Sequence, residues 1–325
     1  MTSTAKHSLI DVNGIKLHIA EQGEGPLVIL LHGFPESWYS WRHQFRPLVE
    51  AGYRVVAPDQ RGYAGSEQPE DVGAYTALHL VGDVTDLVGV LGYDKAVLVG
   101  HDWGAPVAWI TALLRPDLVR GVAGLSVPPF LPVGMPPLQL GLEHGTERSY
   151  LNYFQLPGVA DAELAQDIGS SLRRILSHGS GDSQDGPPRA WVVPEGATLL
   201  ADRQEPAVLP SWLSEDDIAA VTNSYARHGN RAFTGPLNWY RNIDRNQELL
   251  APFKGLRVEV PGLYLTGSRD SVAAWQATKA ARAAIHQTVP DLRADVTLHG
   301  AGHWIQQERP AEVSAALLDF LAQIR

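Results

Sequence analysis

Apolar and polar positions alternate along SLIDVNGIKLHIAEQG (8–23), with Asn13-Gly14 at the centre. An Asn-Gly pair between two such runs predicts a β-hairpin. The pattern then changes. PLVILLHG (26–33), YRVVAPD (53–59), KAVLVGHD (95–102) and VRGVAGLSVP (119–128) are continuous apolar runs of strand length. Between them, SWRHQFRPLVEAG (40–52), ALHLVGDVTDLVGVLG (77–92) and PVAWITALLRP (106–116) carry apolar residues at helical spacing. Strands buried on both faces and separated by helices predict an α/β fold with a mostly parallel central sheet flanked by helices.

The alternation stops at Pro128. PPFLPVGMPP (128–137) is too rich in proline to continue a regular element, and HGSGDSQDGPP (178–188) reads as a solvated loop. Strand patterns resume in VPGLYLTGSRD (260–270) and RADVTLHGAGHW (293–304), and PAEVSAALLDFLAQI (310–324) predicts an amphipathic helix opened by Pro310. The expected organisation is a split α/β core, residues 1–127 and 248–325, with a helical cap over 128–247.

The 325 residues are 44% hydrophobic and carry a net charge of −10 without a basic run, so neither nucleic acid nor an anionic membrane is an expected partner. There is no cysteine, which excludes disulfides, thiol catalysis and thiolate metal sites. The N-terminus lacks the apolar core of a signal peptide, and the apolar runs are too short to span a bilayer. A soluble cytoplasmic protein is expected, and a homodimer is compatible with the sequence.

The candidate chemistry lies where strands end, as is usual in open parallel sheets. VLVGHDWGAP (97–106) runs from strand to helix through Gly100-His101-Asp102-Trp103-Gly104. This is the shape of a nucleophile elbow with aspartate in place of serine. Asp270 and His303 follow later strands, giving the chain order nucleophile, acid, histidine. An aspartate there suits attack on an sp³ carbon. Serine would leave a stable ether, whereas a carboxylate leaves an ester that activated water can cleave. The pair His299 and His303 is no metal motif, because HGAGH holds glycines and no acidic partner. His101 reads as a structural residue of the elbow, and Asp59 and Arg61 as loop-closing residues.

HGFPESWYSWRHQ, APDQRGYAGS, VGHDWGAPVAW, YFQLPGVADAEL, LNWYRNIDRN and GAGHWIQQERP, spread from residue 32 to 310, resemble the sequence blocks of soluble-type epoxide hydrolases of the α/β-hydrolase fold. The resemblance implies conversion of a neutral small-molecule epoxide and water to a vicinal diol, with no cofactor and no metal. It implies that Asp102 opens the ring and that His303, oriented by Asp270, activates water. The backbone N–H groups of Phe34 and Trp103 would form the oxyanion hole, with Pro35 in a cis turn. Two cap tyrosines would protonate the epoxide oxygen. One is Tyr240. For the other, Tyr150 and Tyr153 are both candidates in SYLNYFQ, and the resemblance favours Tyr150. His32, Pro35, Trp41, Tyr153, Phe154 and Trp304 are expected around the substrate pocket. Two alternatives share the same residues: a haloalkane dehalogenase, with Trp103 donating its indole N–H to the halide, and a non-catalytic ligand sensor. Detoxification, lipid-epoxide metabolism and biosynthesis are all compatible roles.

Overall fold

The computed structural model describes residues 5–130, 148–183 and 191–324. Most of the proline-rich stretch 128–137 and about half of the loop 178–188 lie outside the described residues. The hairpin forms as the pattern predicts. β1 (Lys6–Val12) pairs antiparallel with β2 (Ile15–Gln22), and both turn residues take positive φ, Asn13 at 45° and Gly14 at 78°. That is the turn whose twist matches paired strands. β3 (Leu27–Leu31), β4 (Arg54–Pro58), β5 (Ala96–His101), β6 (Val119–Leu125), β9 (Gly262–Gly267) and β10 (Leu292–Leu298) complete an eight-stranded sheet. Its order is β1-β2-β4-β3-β5-β6-β9-β10, parallel from β4 to β10. Every residue of β3, β5 and β9 is buried, which is why these strands read as unbroken apolar runs.

Two apolar layers enclose the sheet. On one face lie α1 (Arg42–Glu50) and α13 (Pro310–Gln323), whose Phe45, Leu48, Leu317 and Phe320 pack against Val28, Leu30 and Val97. On the other lie α2 (Ala77–Val90) and α3 (Gly104–Leu114). α3 is apolar nearly all round because it is covered by the sheet below and by α2 and the helical segment above.

Between β6 and β9 the described chain adds no strand to this sheet. It forms α4 (Tyr150–Tyr153), α5 (Val159–Gln166), α6 (Ile168–Gly179), α7 (Glu215–Tyr225), α8 (Thr234–Arg241) and α9 (Ile243–Leu250). A two-residue ribbon joins β7 (Arg148–Ser149) to β8 (Val192–Val193). The expected domain boundary at 247/248 falls inside α9, whose Asn246 accepts a hydrogen bond from the Ala77 N–H at the start of α2. After β9 come α10 (Gln276–Ala283) and α11 (Ile285–Thr288), and α12 (Ile305–Glu308) precedes α13. No helix among the described residues is long and apolar enough to cross a membrane.

The β5–α3 turn is built on close backbone approach. A Cβ on Gly104 would collide with Leu31 O, and one on Gly100 with Gly104 O. Gly104→Ala is therefore expected to destabilise the fold by at least about 2 kcal/mol. Gly89, exposed on α2 with no atom near its missing Cβ, is the opposite case. Gly89→Ala should stabilise by about 0.5–1 kcal/mol. Urea unfolding of the two variants checks both signs.

Candidate active site

Four chain segments leaving the sheet converge on one point. Asp102 follows β5 with φ +49°, a left-handed conformation that aspartate tolerates better than most residues. The turn lifts its carboxylate out of the sheet beside Gly33, where an added Cβ would strike that carboxylate. The loop after β3 passes Gly33 through a cis Phe34–Pro35 peptide. The Phe34 N–H then donates to Asp102 Oδ1 at 2.8 Å. The other oxygen, Oδ2, stands 3.4 Å from His303 Nε2. His303 Nδ1–H donates to Asp270 Oδ1 at 3.0 Å, and Asp270 Oδ1 also accepts the Val272 N–H at 2.8 Å, which orients the carboxylate. Asp102, Asp270 and His303 thus form a connected triad, and Trp103, the N-cap of α3, carries the next N–H after Asp102.

The charges are tuned by burial and by one another. Burial pushes the Asp102 carboxyl up, but the His303 contact, the His101 ring and the Phe34 N–H outweigh it and hold the group below the usual carboxylate value. Burial pulls His303 down, yet Asp270 and Asp102 together raise it well above an ordinary imidazole. His101 lies beneath. Its Nδ1 meets Glu36 Oε2 at 2.8 Å and its Nε2 meets His303 O at 2.8 Å. Glu36 also accepts from Gly33 N–H, Gln306 and Gln307, so it is an acceptor throughout. His101 is thereby pinned between the Glu36 carboxylate and the His303 carbonyl, a structural member of the elbow as the sequence suggests.

A cavity of about 470 Å³ opens over the triad. Tyr150 and Tyr240 stand side by side in its wall, ring centroids 5.9 Å apart and edge to face, with Phe34 and Phe154 packed edge-on against Tyr240. Burial first, and then the Asp102 charge, raise both phenols well above their ordinary value, so both stay protonated. A hydrogen bond from the Trp103 side chain acts on Tyr240 in the opposite direction. A second pocket lies across Trp103, between α2, α3 and α9, but no titratable side chain among the described residues lines it. The cavity over the triad is therefore the one equipped for chemistry.

An α/β hydrolase fold family model matches residues 26–158. Epoxide hydrolase A of Mycobacterium tuberculosis is 45% identical over 317 residues, covering 96% of each chain. Epoxide hydrolase 1 of Siraitia grosvenorii is 40% identical over 330 residues, covering 98% of each. An epoxide hydrolase from an endophytic Streptomyces superposes with a TM-score of 0.93 at 43% identity, over 99% of this chain and 96% of that one. The chain belongs to the epoxide hydrolase family.

Within this epoxide hydrolase scaffold, Phe154 and Trp304 line the cavity as expected. Four other expected pocket residues do not. Trp41 is wholly buried on the opposite face of the sheet, in the layer with Phe45 and Leu48, because the 3₁₀ turn before α1 points it inward. His32 is sealed beneath the loop, donating from Nδ1 to Gly33 O and accepting the Gln60 N–H at Nε2. Pro35 shapes the Phe34 turn without lining the cavity. Tyr153 stands three residues from Tyr150, yet its hydroxyl donates to Glu163 at 2.7 Å and Arg148 covers its ring. The wall also includes Ile175, Trp191, Leu199 and Val272, which the sequence did not single out. Ordinary aliphatic residues at helical spacing carry no signal that one of them faces a cavity. No group of three metal-ligating side chains occurs among the described residues.

The raised His303 has a consequence for stability. Its pairing contributes fully below about pH 6.5, the ordinary histidine value, and is lost as the pH rises through the higher folded value. Thermal melts across an alkaline series should therefore show Tm falling less steeply in His303→Gln than in the unaltered protein. Equal slopes would mean that the pair contributes nothing.

Proposed function

We propose that this chain hydrolyses neutral epoxides to vicinal diols through an ester on Asp102. The observation that carries the proposal is the division of the Asp102 carboxylate, with Oδ1 held by the Phe34 N–H and Oδ2 left toward the cavity and His303. In the first step Oδ2 attacks a ring carbon and the C–O bond breaks. Tyr150 or Tyr240 passes its phenolic proton to the oxygen that leaves, and the phenol is reprotonated before the next turnover. Two neutral phenols at one cavity wall suit a leaving group that needs a proton, which a departing halide does not.

In the second step water attacks the ester carbonyl. His303 takes the water proton, and Oδ1 carries the negative charge against the N–H groups of Phe34 and Trp103. Collapse then breaks the Cγ–Oδ2 bond, the departing alkoxide takes the proton back from His303 and leaves as the diol, and the Asp102 carboxylate is restored with one oxygen from water. Alkylation itself prepares this step. It turns Asp102 into a neutral ester and so removes one of the two carboxylates that raise His303. The imidazole then gives up its proton more readily and can act as a base. Among the described residues the cavity presents no charged side chain beyond the triad, which supports a neutral substrate.

Diol formation from styrene oxide and from a fatty-acid epoxide, with His303→Ala as control, tests the activity. His303→Gln should stall after ring opening and accumulate a protein adduct of substrate mass at Asp102 by intact-mass spectrometry. Substrate loss without adduct would point to direct attack by water. Tyr150→Phe and Tyr240→Phe should each slow ring opening by at least about tenfold, and the double variant by about 10⁴. Single-turnover rates measure this, and a larger loss from Tyr153→Phe than from Tyr150→Phe would reverse the assignment.

A further inference from the structure

The cap and the catalytic loop meet backbone to backbone. α6 ends at Gly179, and the last carbonyls of a helix need partners from outside it. The catalytic loop supplies them. The His303 N–H donates to Gly179 O at 2.8 Å, and the Trp304 indole N–H donates to Leu176 O at 2.8 Å. The crossing leaves no room for side chains. A Cβ on Gly302 would strike Gly179 O and Gly181 N, and one on Gly181 would strike Gly300 O.

Glu308 closes this crossing. Its Oε2 accepts the Gly302 N–H at 2.8 Å and the Gly181 N–H at 2.9 Å, and its Oε1 accepts the Trp304 N–H at 3.0 Å. One carboxylate thus grips the residues on both sides of His303 and the cap segment opposite. It is only 5% exposed. Burying a carboxylate costs several kcal/mol, so its place here calls for a return beyond packing. His303 has little tolerance for movement, because its two ring nitrogens must address Asp270 and Asp102 at once, at 3.0 and 3.4 Å.

We propose that Glu308 is a positioning residue for the second half of the reaction, holding His303 where its Nε2 addresses water at the Asp102 ester and tying that position to the cap. The proposal rests on the two-step reading above. It separates the steps, because ring opening uses Asp102 and the tyrosines, whereas ester hydrolysis uses His303. A residue that served only stability would slow both.

The test is rapid-quench intact-mass spectrometry with styrene oxide on Glu308→Gln, Glu308→Asp and His303→Gln. Glu308→Gln should alkylate within about threefold of the unaltered rate and hydrolyse the ester about 10–100-fold more slowly, since a misplacement of about 1 Å can cost 10²-fold. Adduct should therefore accumulate. Glu308→Asp, which keeps the charge with a shorter reach, should recover part of the hydrolysis rate. It also carries the same comparison if Glu308→Gln folds poorly, with hydrolysis slowed more than alkylation. Equal slowing of both steps, or hydrolysis unchanged in both variants, overturns the proposal. Adduct in His303→Gln but in neither Glu308 variant also overturns it and leaves the two-step reading standing. No adduct in His303→Gln overturns the two-step reading, and the Glu308 assignment with it.

Discussion

The hydrogen bond from the Phe34 N–H to Asp102 Oδ1 makes the two oxygens of one carboxylate unlike. A free carboxylate is symmetric, and either oxygen could attack. Here one is committed to a backbone donor and the other faces the cavity. Much of the surrounding chain is arranged so that this bond can form. Gly33 has no side chain because the Asp102 carboxylate occupies that space, and Gly104 has none because it passes against Leu31 O. Asp102 stands in a left-handed turn that lifts the carboxylate out of the sheet toward Phe34.

The second layer of the site is a set of buried polar groups that satisfy one another. Glu36 and His101 meet at 2.8 Å almost without solvent contact, and Glu36 is further held by two glutamine side chains from the α12 segment. His101 and the Ser126 hydroxyl both reach the carbonyl of His303. His303 is therefore held at its N–H by Gly179 O at the end of α6, at its carbonyl from below and at its ring by Asp270. The value of the Glu36–His101 contact is positional, because without His101 the buried Glu36 carboxylate would lose a partner directly beneath Asp102.

Much of the core was legible in the sequence because its signals are local. Asn13-Gly14 needs only its own turn to announce a hairpin, and LVILL needs only its own composition to announce a strand buried on both faces. Asp102 and Asp270 could be placed because each follows such a strand, and His303 because it follows the alternating edge strand β10. α10 and α11 were not legible. They bury little beyond Thr278 and Ile285, so they show no apolar stripe. The ribbon of β7 and β8 is two residues long and leaves no period to detect. Trp41 shows the limit for side chains. An aromatic residue near the HGFP turn reads as a pocket wall, but which face of the sheet it meets is decided by a 3₁₀ turn with no sequence period of its own. Glu36 and Glu308 look like ordinary surface carboxylates until tertiary contacts bury them.

The cavity wall combines two kinds of material. Tyr150, Phe154, Tyr240 and Phe34 are locked to one another by edge-on ring contacts, so a change in any one disturbs its neighbours. Ile175, Leu199 and Val272 line the same space without ring contacts, and volume-conserving exchanges at such positions cost less than about 1.5 kcal/mol. The aromatic half acts as a fixed frame beside Asp102 and His303, and the aliphatic half as adjustable lining. New substrate shapes are thus most readily accommodated by redrawing the lining while the frame stays constant.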